Sequence, residues 1–225
     1  MSTLYIIATP IGNLEDVTLR AIRILKEVDL ILCEDTRVTR KFLNHYEIQT
    51  SVESYHSHSR GPKVEKILEF LKSGKTLALV TDAGTPGISD PGSELIALAR
   101  NALPDVAVVP IPGPSALTAA LSASGLATDQ FVFFGFLPHK KGRETLIKKI
   151  AENEMTSVVY ESPHRILKLL QAFEKFLPDR TVVVARELTK MFEEIKTGTA
   201  TELLVYYSEN PDKVRGEFVV IIAGR

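Results

Sequence analysis

Short runs of β-branched and other apolar residues recur along the first half of the chain and alternate with amphipathic segments of helix length. The apolar runs lie at residues 4–8, 30–33, 77–81 and 106–110. Segments with the apolar spacing of a half-buried helix lie between them, at 21–28, 63–71 and 93–101. This alternation predicts successive β-α-β units and a mainly parallel sheet that is covered on both faces.

A second series of the same kind follows a stretch of small residues at 117–128. Its predicted strands lie at 131–135, 157–160, 181–185 and 218–222, and its predicted helices at 145–151, 166–176 and 201–207. Two prolines flank Gly113 between the series and interrupt regular structure. We therefore predict two α/β domains, residues 1–113 with a parallel sheet that carries the binding loops and residues 114–225 with a mixed sheet.

Composition excludes several classes of protein. The 225 residues are 44% hydrophobic and 24% charged, which is typical of a globular chain rather than a disordered one. The single cysteine, Cys33, can form no intramolecular disulfide and leaves no thiol cluster for zinc. The first residues contain no basic leader, and no apolar run approaches the roughly 20 residues of a membrane span. We expect a cytoplasmic protein that does not enter a membrane.

The overall charge gives no attraction to nucleic acid. Lys and Arg number 27 against 28 Asp and Glu, so the formal net charge is −1, and a polyanion must be met by a local patch. The basic residues cluster in two places, at Arg37, Arg40 and Lys41, and at His139, Lys140, Lys141, Arg143, Lys148 and Lys149. Taken alone, such clusters are more often solvated helix faces than binding surfaces.

The least ordinary stretches of the first half mostly follow predicted strands. They are TPIGN (9–13), CEDTR (33–37), SYHSHS (54–59), TDAGTPGISDPG (81–92) and IPGPSAL (111–117). In an open parallel sheet the carboxyl ends of the strands meet at one edge, where ligands bind. We expect these loops to converge there, although each one taken alone is also typical of a tight turn.

The chemistry of these loops argues against a phosphate cradle. They contain neither of the glycine motifs whose backbone N–H groups surround phosphates, and their prolines lack an N–H altogether. Their glycines permit close approach of the backbone to a ligand. The loops suit a flat, uncharged or cationic ligand such as an adenosyl group better than a nucleoside triphosphate.

Carboxylates and histidines accompany the same loops. Glu34, Asp35, Asp82 and Asp90 are able to bind ribose hydroxyls, accept a proton or hold a metal ion. Asp35 before Thr36 also resembles a helix N-cap, and Asp90 before Pro91 resembles the start of a turn. His56 and His58 would share one side of an extended segment, as metal ligands do, but no third ligand is evident nearby.

Two further motifs follow strands of the second half, VYESPHR (159–165) and ARELTK (185–190). Each carries a glutamate with a cation close by: Glu161 with Arg165, and Glu187 with Arg186 and Lys190. Structural ion pairs and groups that orient a substrate are both consistent with this pattern.

In their order and spacing the motifs closely resemble the small-subunit ribosomal RNA ribose 2′-O-methyltransferases, within the tetrapyrrole-methylase superfamily of S-adenosylmethionine enzymes. The motifs are LYIIATPIGNLEDVTLRA, LCEDTR, SYHSHS, TDAGTPGISDPG, PGPSAL, FFGFLP, YESPHR, ARELTK and GEFVVII. The resemblance covers essentially the whole chain, and the combination is highly specific. Longer family members continue past the GEFVV strand into a small helical extension, which the sequence up to Arg225 does not contain.

The resemblance implies two α/β domains with S-adenosylmethionine in the cleft between them, a homodimer, and methylation of a cytidine ribose in small-subunit ribosomal RNA, with the assembled subunit as the expected substrate. It implies cofactor contacts at Pro10, Asp82, Gly84, Gly87, Ile88, Ser115 and Ala116, and in the second domain at Leu137, Tyr160 and Gly198. Candidate RNA contacts are Arg37, Lys41, Lys140, Lys141, Arg186 and Lys190. No resident metal ion is expected.

A neutral ribose hydroxyl is a poor nucleophile, so a general base is expected to add about 10²–10⁴-fold to the rate. The candidates are Glu187, His56, Glu34 and Asp35. The sequence does not choose among them, although Glu187 and His56 rank slightly above the other two. Three other functions remain open: a tetrapyrrole C-methyltransferase on the same fold, a metal-dependent hydrolase built on Asp82, Asp90, His56 and His58, and a non-catalytic module that binds the ribosome.

Overall fold

A computed structural model of the chain describes residues 2–56 and 61–225. The chain divides into two compact units, Met1–Ser115 and Ala116–Arg225. Both are α/β, and between them the described residues form ten strands and eight α-helices. None of the helices found in those ranges is long and apolar enough to cross a membrane.

The first unit is a five-stranded sheet with its helices in the connections. Its strands are β1 (Thr3–Ile7), β2 (Leu30–Cys33), β3 (Val52–Ser54), β4 (Thr76–Leu79) and β5 (Ala107–Ile111). Its helices are α1 (Leu19–Glu27), α2 (Thr36–His45), α3 (Pro62–Lys72) and α4 (Ser93–Ala102). A short 3-10 helix, Leu14–Asp16, precedes α1.

The strand order of this sheet is β3-β2-β4-β1-β5, and every neighbouring pair is parallel, which confirms the predicted parallel sheet. Alternate residues of each strand enter one of two hydrophobic cores. Ile7, Ile31 and Ala78 belong to one core, and Leu4, Leu32 and Leu77 belong to the other. Apolar side chains therefore pack on both faces, as the continuous apolar runs predicted.

The order places β1 and β4 side by side in the middle of the sheet. From β1 the chain crosses to β2 on one side, and from β4 it crosses to β5 on the other side. The connections thus leave the carboxyl ends of β1 and β4 in opposite directions and open a crevice above them. This is the switch point at which open parallel sheets bind ligands.

The pattern of apolar residues does not predict two elements of the first unit. The strand β3 is only three residues long, and none of them is fully buried. The helix α2 buries only Thr39, Phe42 and Leu43 among ten largely polar residues. Its one clear signal is Asp35, whose side chain accepts the N–H of Arg37 as an N-cap does.

The second unit contains a mixed sheet. Its strands are β6 (Phe131–Phe136), β7 (Thr156–Glu161), β8 (Val182–Arg186), β9 (Glu194–Gly198) and β10 (Phe218–Ile222). Its helices are α5 (Ala116–Ala123), α6 (Arg143–Glu152), α7 (Ile166–Phe176) and α8 (Ala200–Glu209), with a 3-10 helix at Pro211–Lys213.

The strand order here is β6-β7-β10-β8-β9, and only β6 and β7 are parallel neighbours. All five residues of β8 and of β10 are buried, since both strands lie inside the sheet. The edge strand β9 was not predicted, because its sequence EIKTG contains one large apolar residue and none of its residues is fully buried. The helix α5 begins the unit in the small-residue stretch.

Candidate functional site

Two backbone hydrogen bonds join the loops that follow β1 and β4. Thr9 donates its N–H to the Gly84 carbonyl at 2.9 Å, and Gly84 donates to the Thr9 carbonyl at 3.0 Å. The hydroxyl of Thr9 also donates to the Thr81 carbonyl at 3.0 Å. These three bonds satisfy buried polar groups and fix the two loops against each other at the switch point.

The loops after β5 and β2 are attached to the same centre. Thr85 donates its hydroxyl to the Pro114 carbonyl at 3.0 Å, which connects the β4 loop to the β5 loop. On the other side, the N–H of Asp35 donates to Asp82 Oδ1 at 3.0 Å. Four of the loops expected to converge are therefore hydrogen-bonded to one another within the first unit.

Glycine is required at two places in these loops. Gly84 lies at φ +83°, in the left-handed region that favours glycine, although a Cβ atom there would make only an ordinary contact with Ile11 at 3.6 Å. Gly92 lies at φ +137°, and a Cβ atom would come within 2.8 Å of the Leu79 side chain. A side chain at either position would be strained, so the loops can take this compact form only with glycine.

Asp35 and Glu34 are neighbours in sequence but differ in their electrostatic surroundings. The side chain and the N–H of Arg37 hydrogen-bond to the Asp35 carboxylate and hold its pKa well below the usual range. Burial raises the pKa of Glu34, the charges of Asp82 and Asp35 raise it further, and His56 opposes them. Asp35 is therefore a helix cap and a weak base, whereas Glu34 binds a proton more tightly.

Two cavities lie among the loops of the first unit. One, of about 230 Å³, is lined by Pro10, Leu14, Val38, Phe42 and Asp82 among others. The other, of about 430 Å³, is more polar and is lined by Glu34, Tyr55, Asp90 and Glu94 among others. Cys33 at the end of β2 is buried, and burial raises the pKa of its thiol, so it is not a reactive thiolate.

The cofactor candidates of the first unit all lie in the joined loops. Pro10 follows β1, the four from Asp82 to Ile88 follow β4, and Ser115 follows β5. Gly84 is buried, whereas Ile88 is 42% exposed and Asp82 is exposed. The N–H and C=O of residues 9 and 84 are already paired with each other, and the prolines have no N–H. These loops offer carboxylate oxygens, which attract a cation, and few free N–H groups, which a phosphate would need. They therefore fit an adenosyl sulfonium better than a phosphate.

The candidates of the second unit lie in different places. Leu137 is 2% exposed just after β6, and Tyr160 on β7 packs edge-on against Phe133 and Phe136 with ring centroids 4.9 and 5.5 Å apart. Ala116 begins α5. Gly198 pairs with the first residue of β8, so it lies at the opposite edge of the sheet from Leu137 and Tyr160.

The turn after β8 contains Glu187 at φ +51°. Burial raises its pKa, but hydrogen bonds from Lys190 and from the Glu217 N–H, together with the charges of Lys190 and Arg186, lower it below the ordinary value overall. Lys190 also bonds to Glu217 at 2.9 Å. Glu187 is thus the acceptor of a local network, in which both hydrogen bonds go to its Oε1.

Arg186 is a buried residue and not a surface cation. It is 7% exposed, and its guanidinium donates to the Phe192 carbonyl at 3.0 Å. Its Nε lies 4.0 Å from Glu194. This arrangement holds the β8–β9 turn from within, whereas Arg37, Lys41, Lys140 and Lys141 are exposed.

Histidine and metal chemistry find little support in the described ranges. His56 is exposed and close enough to Glu34 to affect its pKa. His58, the second histidine of the SYHSHS motif, lies outside the described residues. Among the described residues there is no group of three His, Cys, Asp or Glu side chains able to hold a metal ion.

Glu161 forms the most deeply buried ion pairs that the structure describes. It is 1% exposed, accepts from Arg143 Nη2 at 3.0 Å, and lies 2.7 Å from Arg165 Nε. Arg165 also donates to the Leu137 carbonyl at 2.9 Å. The sequence motif paired Glu161 with Arg165 but not with Arg143, because Arg143 is 18 residues away and comes from another helix.

The threonines that join the loops were missed by sequence reasoning. Thr9 and Thr85 each precede a proline, and the sequence Thr-Pro occurs twice, once in TPIGN and once in GTPG. That repetition was the one available signal. Charged groups are the usual sign of a functional site in a sequence, whereas hydroxyls that bond to the backbone give no comparable sign.

Comparison with known proteins gives a consistent result. Residues 3–204 match the model of the family described as tetrapyrrole (corrin/porphyrin) methylases. A protein of Synechocystis named ribosomal RNA small subunit methyltransferase I is 50% identical, over 100% of this chain and 80% of its own length. Proteins of the same name from Halalkalibacterium halodurans and Bacillus subtilis are 48% and 45% identical, over 99% and 100% of this chain and 76% of each relative.

Solved structures show the same fold at lower identity. A cobalt precorrin-4 methyltransferase of cobalamin biosynthesis superposes with a TM-score of 0.71 at 20% identity, over 98% of this chain and 94% of that chain. A uroporphyrin-III-C-methyltransferase from Thermus thermophilus gives 0.62 at 16% identity, over 98% and 94%. At these identities the likeness concerns the fold alone.

Replacement of Glu161 by glutamine should destabilise the chain by about 3 kcal/mol, because two partly buried arginines lose their common carboxylate. The change preserves the shape of the side chain, so the loss measures charge rather than volume. Urea unfolding followed by circular dichroism would measure it.

Glu144→Gln is the matched control, because Glu144 pairs with Lys148 in solvent, with both side chains more than half exposed. Its unfolding midpoint should stay at the wild-type value. Equal midpoints for the two variants would show that the ion pairs of Glu161 do not stabilise the fold.

Proposed function

The chain belongs to the tetrapyrrole methylase family, among the ribosomal RNA small subunit methyltransferases I, and we propose that it methylates the ribose 2′-hydroxyl of a cytidine in small-subunit ribosomal RNA. It is an S-adenosylmethionine-dependent methyltransferase. We infer the RNA substrate from the 45–50% identity to those relatives over essentially the whole chain.

When bound, S-adenosylmethionine would supply a methyl group on a positively charged sulfur, and attack of the ribose oxygen on the methyl carbon would break the C–S bond and release a neutral thioether. We propose that the joined loops of the first unit hold this cofactor through Pro10, Gly84, Gly87, Ile88 and Ser115. The hydrogen bonds of Thr9 and Thr85 fix these loops before any ligand arrives, and such preorganisation lowers the cost of binding.

Asp82 is suited to the polar part of the cofactor. One of its oxygens accepts from the Asp35 N–H, which leaves the carboxylate oriented and still exposed. A carboxylate in this position favours a cation and accepts hydrogen bonds from ribose hydroxyls. In the second unit, the candidates for cofactor contacts are still Ala116, Leu137, Tyr160 and Gly198, on the resemblance of their motifs. Tyr160 packs against two phenylalanine rings, which together with it form an apolar surface.

Among the four candidate bases, Glu34 has the surroundings that suit proton abstraction best. Asp35 and Glu187 have lowered pKa values and are committed to hydrogen bonds with Arg37 and Lys190. Glu34 has a raised pKa, lines the larger cavity and lies near His56. We propose that Glu34 accepts the proton of the ribose hydroxyl and that His56 supports it.

Exposed cations supply the contacts to the RNA backbone in this proposal. Lys140 and Lys141 lie in the loop between β6 and α6, and Arg37 and Lys41 lie on α2. Lys190 contributes partly, because it is shared with Glu187 and Glu217. Arg186 acts through the turn that it holds and not by touching RNA.

The proposal includes a homodimer, a cytoplasmic location and the assembled small subunit as substrate. Exposed apolar side chains support an interface, since Met191 is 90% and Phe192 is 66% exposed at the β8–β9 turn. A sedimentation experiment would detect the dimer. A reducing compartment agrees with the single buried Cys33.

Neither rival enzyme has a specific observation in its favour. The solved tetrapyrrole enzymes share 16–20% identity with the chain and inform only its fold. A metal-dependent hydrolase lacks a ligand cluster in the described ranges. A non-catalytic ribosome-binding module is disfavoured because the relatives at 45–50% identity are named methyltransferases.

The direct test is incubation with labelled S-adenosylmethionine and small subunits that lack the modification. We expect one methyl group per subunit, mapped to the ribose of a single cytidine, with less incorporation into naked RNA. Incorporation into a base, or into a tetrapyrrole but not RNA, would contradict the proposal. The proposed mechanism assigns no step to a metal ion, so activity should persist in a chelator.

Replacement of Glu34 by glutamine should lower kcat about 10²–10⁴-fold and leave the affinity for S-adenosylmethionine unchanged. The base must be ionised to act, so the wild-type rate should fall as the pH is lowered. Because the pKa of Glu34 is raised, this fall should begin at a higher pH than for an ordinary glutamate. The variant should lose that acid limb. A pH profile of kcat measures both effects.

The stability of the same variant separates catalysis from structure. A carboxyl group whose folded pKa is raised favours folding below its unfolded pKa, and this contribution disappears as the pH rises through the folded pKa. At neutral pH, Glu34→Gln should therefore be as stable as the wild type or more stable. Glu65→Gln on the exposed face of α3 is the control, and equal kcat in the two variants would remove Glu34 from the mechanism.

A further inference from the structure

Arg143, Glu161 and Arg165 form a charged cluster, here called the Glu161 cluster, that the proposed methyl transfer does not use. Both guanidinium groups contact the one buried carboxylate, at 3.0 Å from Arg143 Nη2 and 2.7 Å from Arg165 Nε. The bond from Arg165 Nη1 to the Leu137 carbonyl holds its guanidinium in place. The cluster lies at the carboxyl end of β7.

The cluster contains more positive than negative charge. Two guanidinium ions share one carboxylate, and Arg143 Nη1 is buried without a hydrogen-bond partner among the described residues. Partly buried charge that is not neutralised is costly, and a buried donor without an acceptor adds to the cost. An external anion beside the two arginines would balance the excess charge.

The surroundings add positive potential. Arg143 is the first residue of α6 and Arg165 is the N-cap of α7, and neither helix has a side-chain cap at its start. The partial positive charges of both helix starts therefore add to those of the arginines. Lys140 and Lys141 are exposed just before α6, and the nearby carboxylate of Glu144 is paired with Lys148.

We propose that the Glu161 cluster is a binding site for a phosphodiester group of the RNA substrate. The guanidinium of arginine is planar and matches two phosphate oxygens at once, which a lysine does not. The two side chains are 14% and 15% exposed, so the site reaches the surface. This inference rests on the proposed RNA substrate and gives it a specific contact.

Glu161 is a positioning residue in this site. It is buried, carries the opposite charge to both arginines, and receives a hydrogen bond from the Ser162 N–H at 2.9 Å. It fixes two cations that would otherwise repel each other. Lys140 and Lys141, exposed just before α6, then add positive charge beside the cluster.

The test compares Arg143→Gln with Arg100→Gln, which removes the same charge from the exposed last turn of α4 in the first unit. Binding to small-subunit RNA transcribed in vitro is measured as the salt concentration rises from about 50 to about 200 mM. Arg143→Gln should weaken binding roughly tenfold at low salt and reduce the salt slope by about 0.7 to 0.9. Arg100→Gln should match the wild type.

The two arginines could equally bind a second anion, the carboxylate of S-adenosylmethionine, because it also presents two negatively charged oxygens to a guanidinium. Calorimetry of both variants with S-adenosylmethionine distinguishes the two sources. Unchanged affinity for S-adenosylmethionine with a reduced salt slope supports the proposal. Lost affinity for S-adenosylmethionine with an unchanged slope, or no change in either, overturns it.

Chemical footprinting of the wild-type chain avoids any dependence on the folding of a variant. Phenylglyoxal modifies accessible arginines, and RNA should protect Arg143 and Arg165 whereas S-adenosylmethionine alone should not. Equal modification with and without RNA would overturn the site. Failure of the wild type to incorporate methyl groups into small subunits would instead overturn the proposed function, so the two failures are distinguishable.

Discussion

The paired hydrogen bonds between Thr9 and Gly84 determine how the first unit presents its chemistry. The two residues follow the two central strands of the parallel sheet, whose connections leave in opposite directions, so the crevice between them would otherwise be open. With those bonds in place, Thr85 attaches the β5 loop and Asp82 attaches the β2 loop. Residues from four distant parts of the sequence therefore have fixed positions without any ligand.

The local charge around Glu34 in the first unit differs from the local charge around Glu161 in the second. In the first, burial of Glu34 raises its pKa, and the neighbouring carboxylates of Asp82 and Asp35 raise it further. In the second, two arginines surround one buried carboxylate. A sulfonium and a proton to be removed suit the first environment, and a polyanion suits the second. The proposed reaction needs both environments, because it joins a cationic donor to an anionic polymer.

The sequence predicted the parts of the fold that depend on continuous apolar runs. The strands β2 and β10 and the helix α7 were predicted with their observed limits, because each is mostly apolar and bounded by turn residues. It missed β3, α2 and β9, where neighbouring strands and helices stabilise short polar segments. The sequence also predicted that the loops meet at one edge of the sheet. It could not show which of Glu34 and Asp35 is the better base, because the difference between their pKa values arises from Arg37 and from burial.

The central claim is that the joined loops of the first unit bind the methyl donor. A crystal structure of the chain with S-adenosylhomocysteine tests it most directly. The account predicts that the ligand lies against residues 84–88 and Ser115, with a ribose hydroxyl near Asp82. A ligand bound away from these loops would contradict the account.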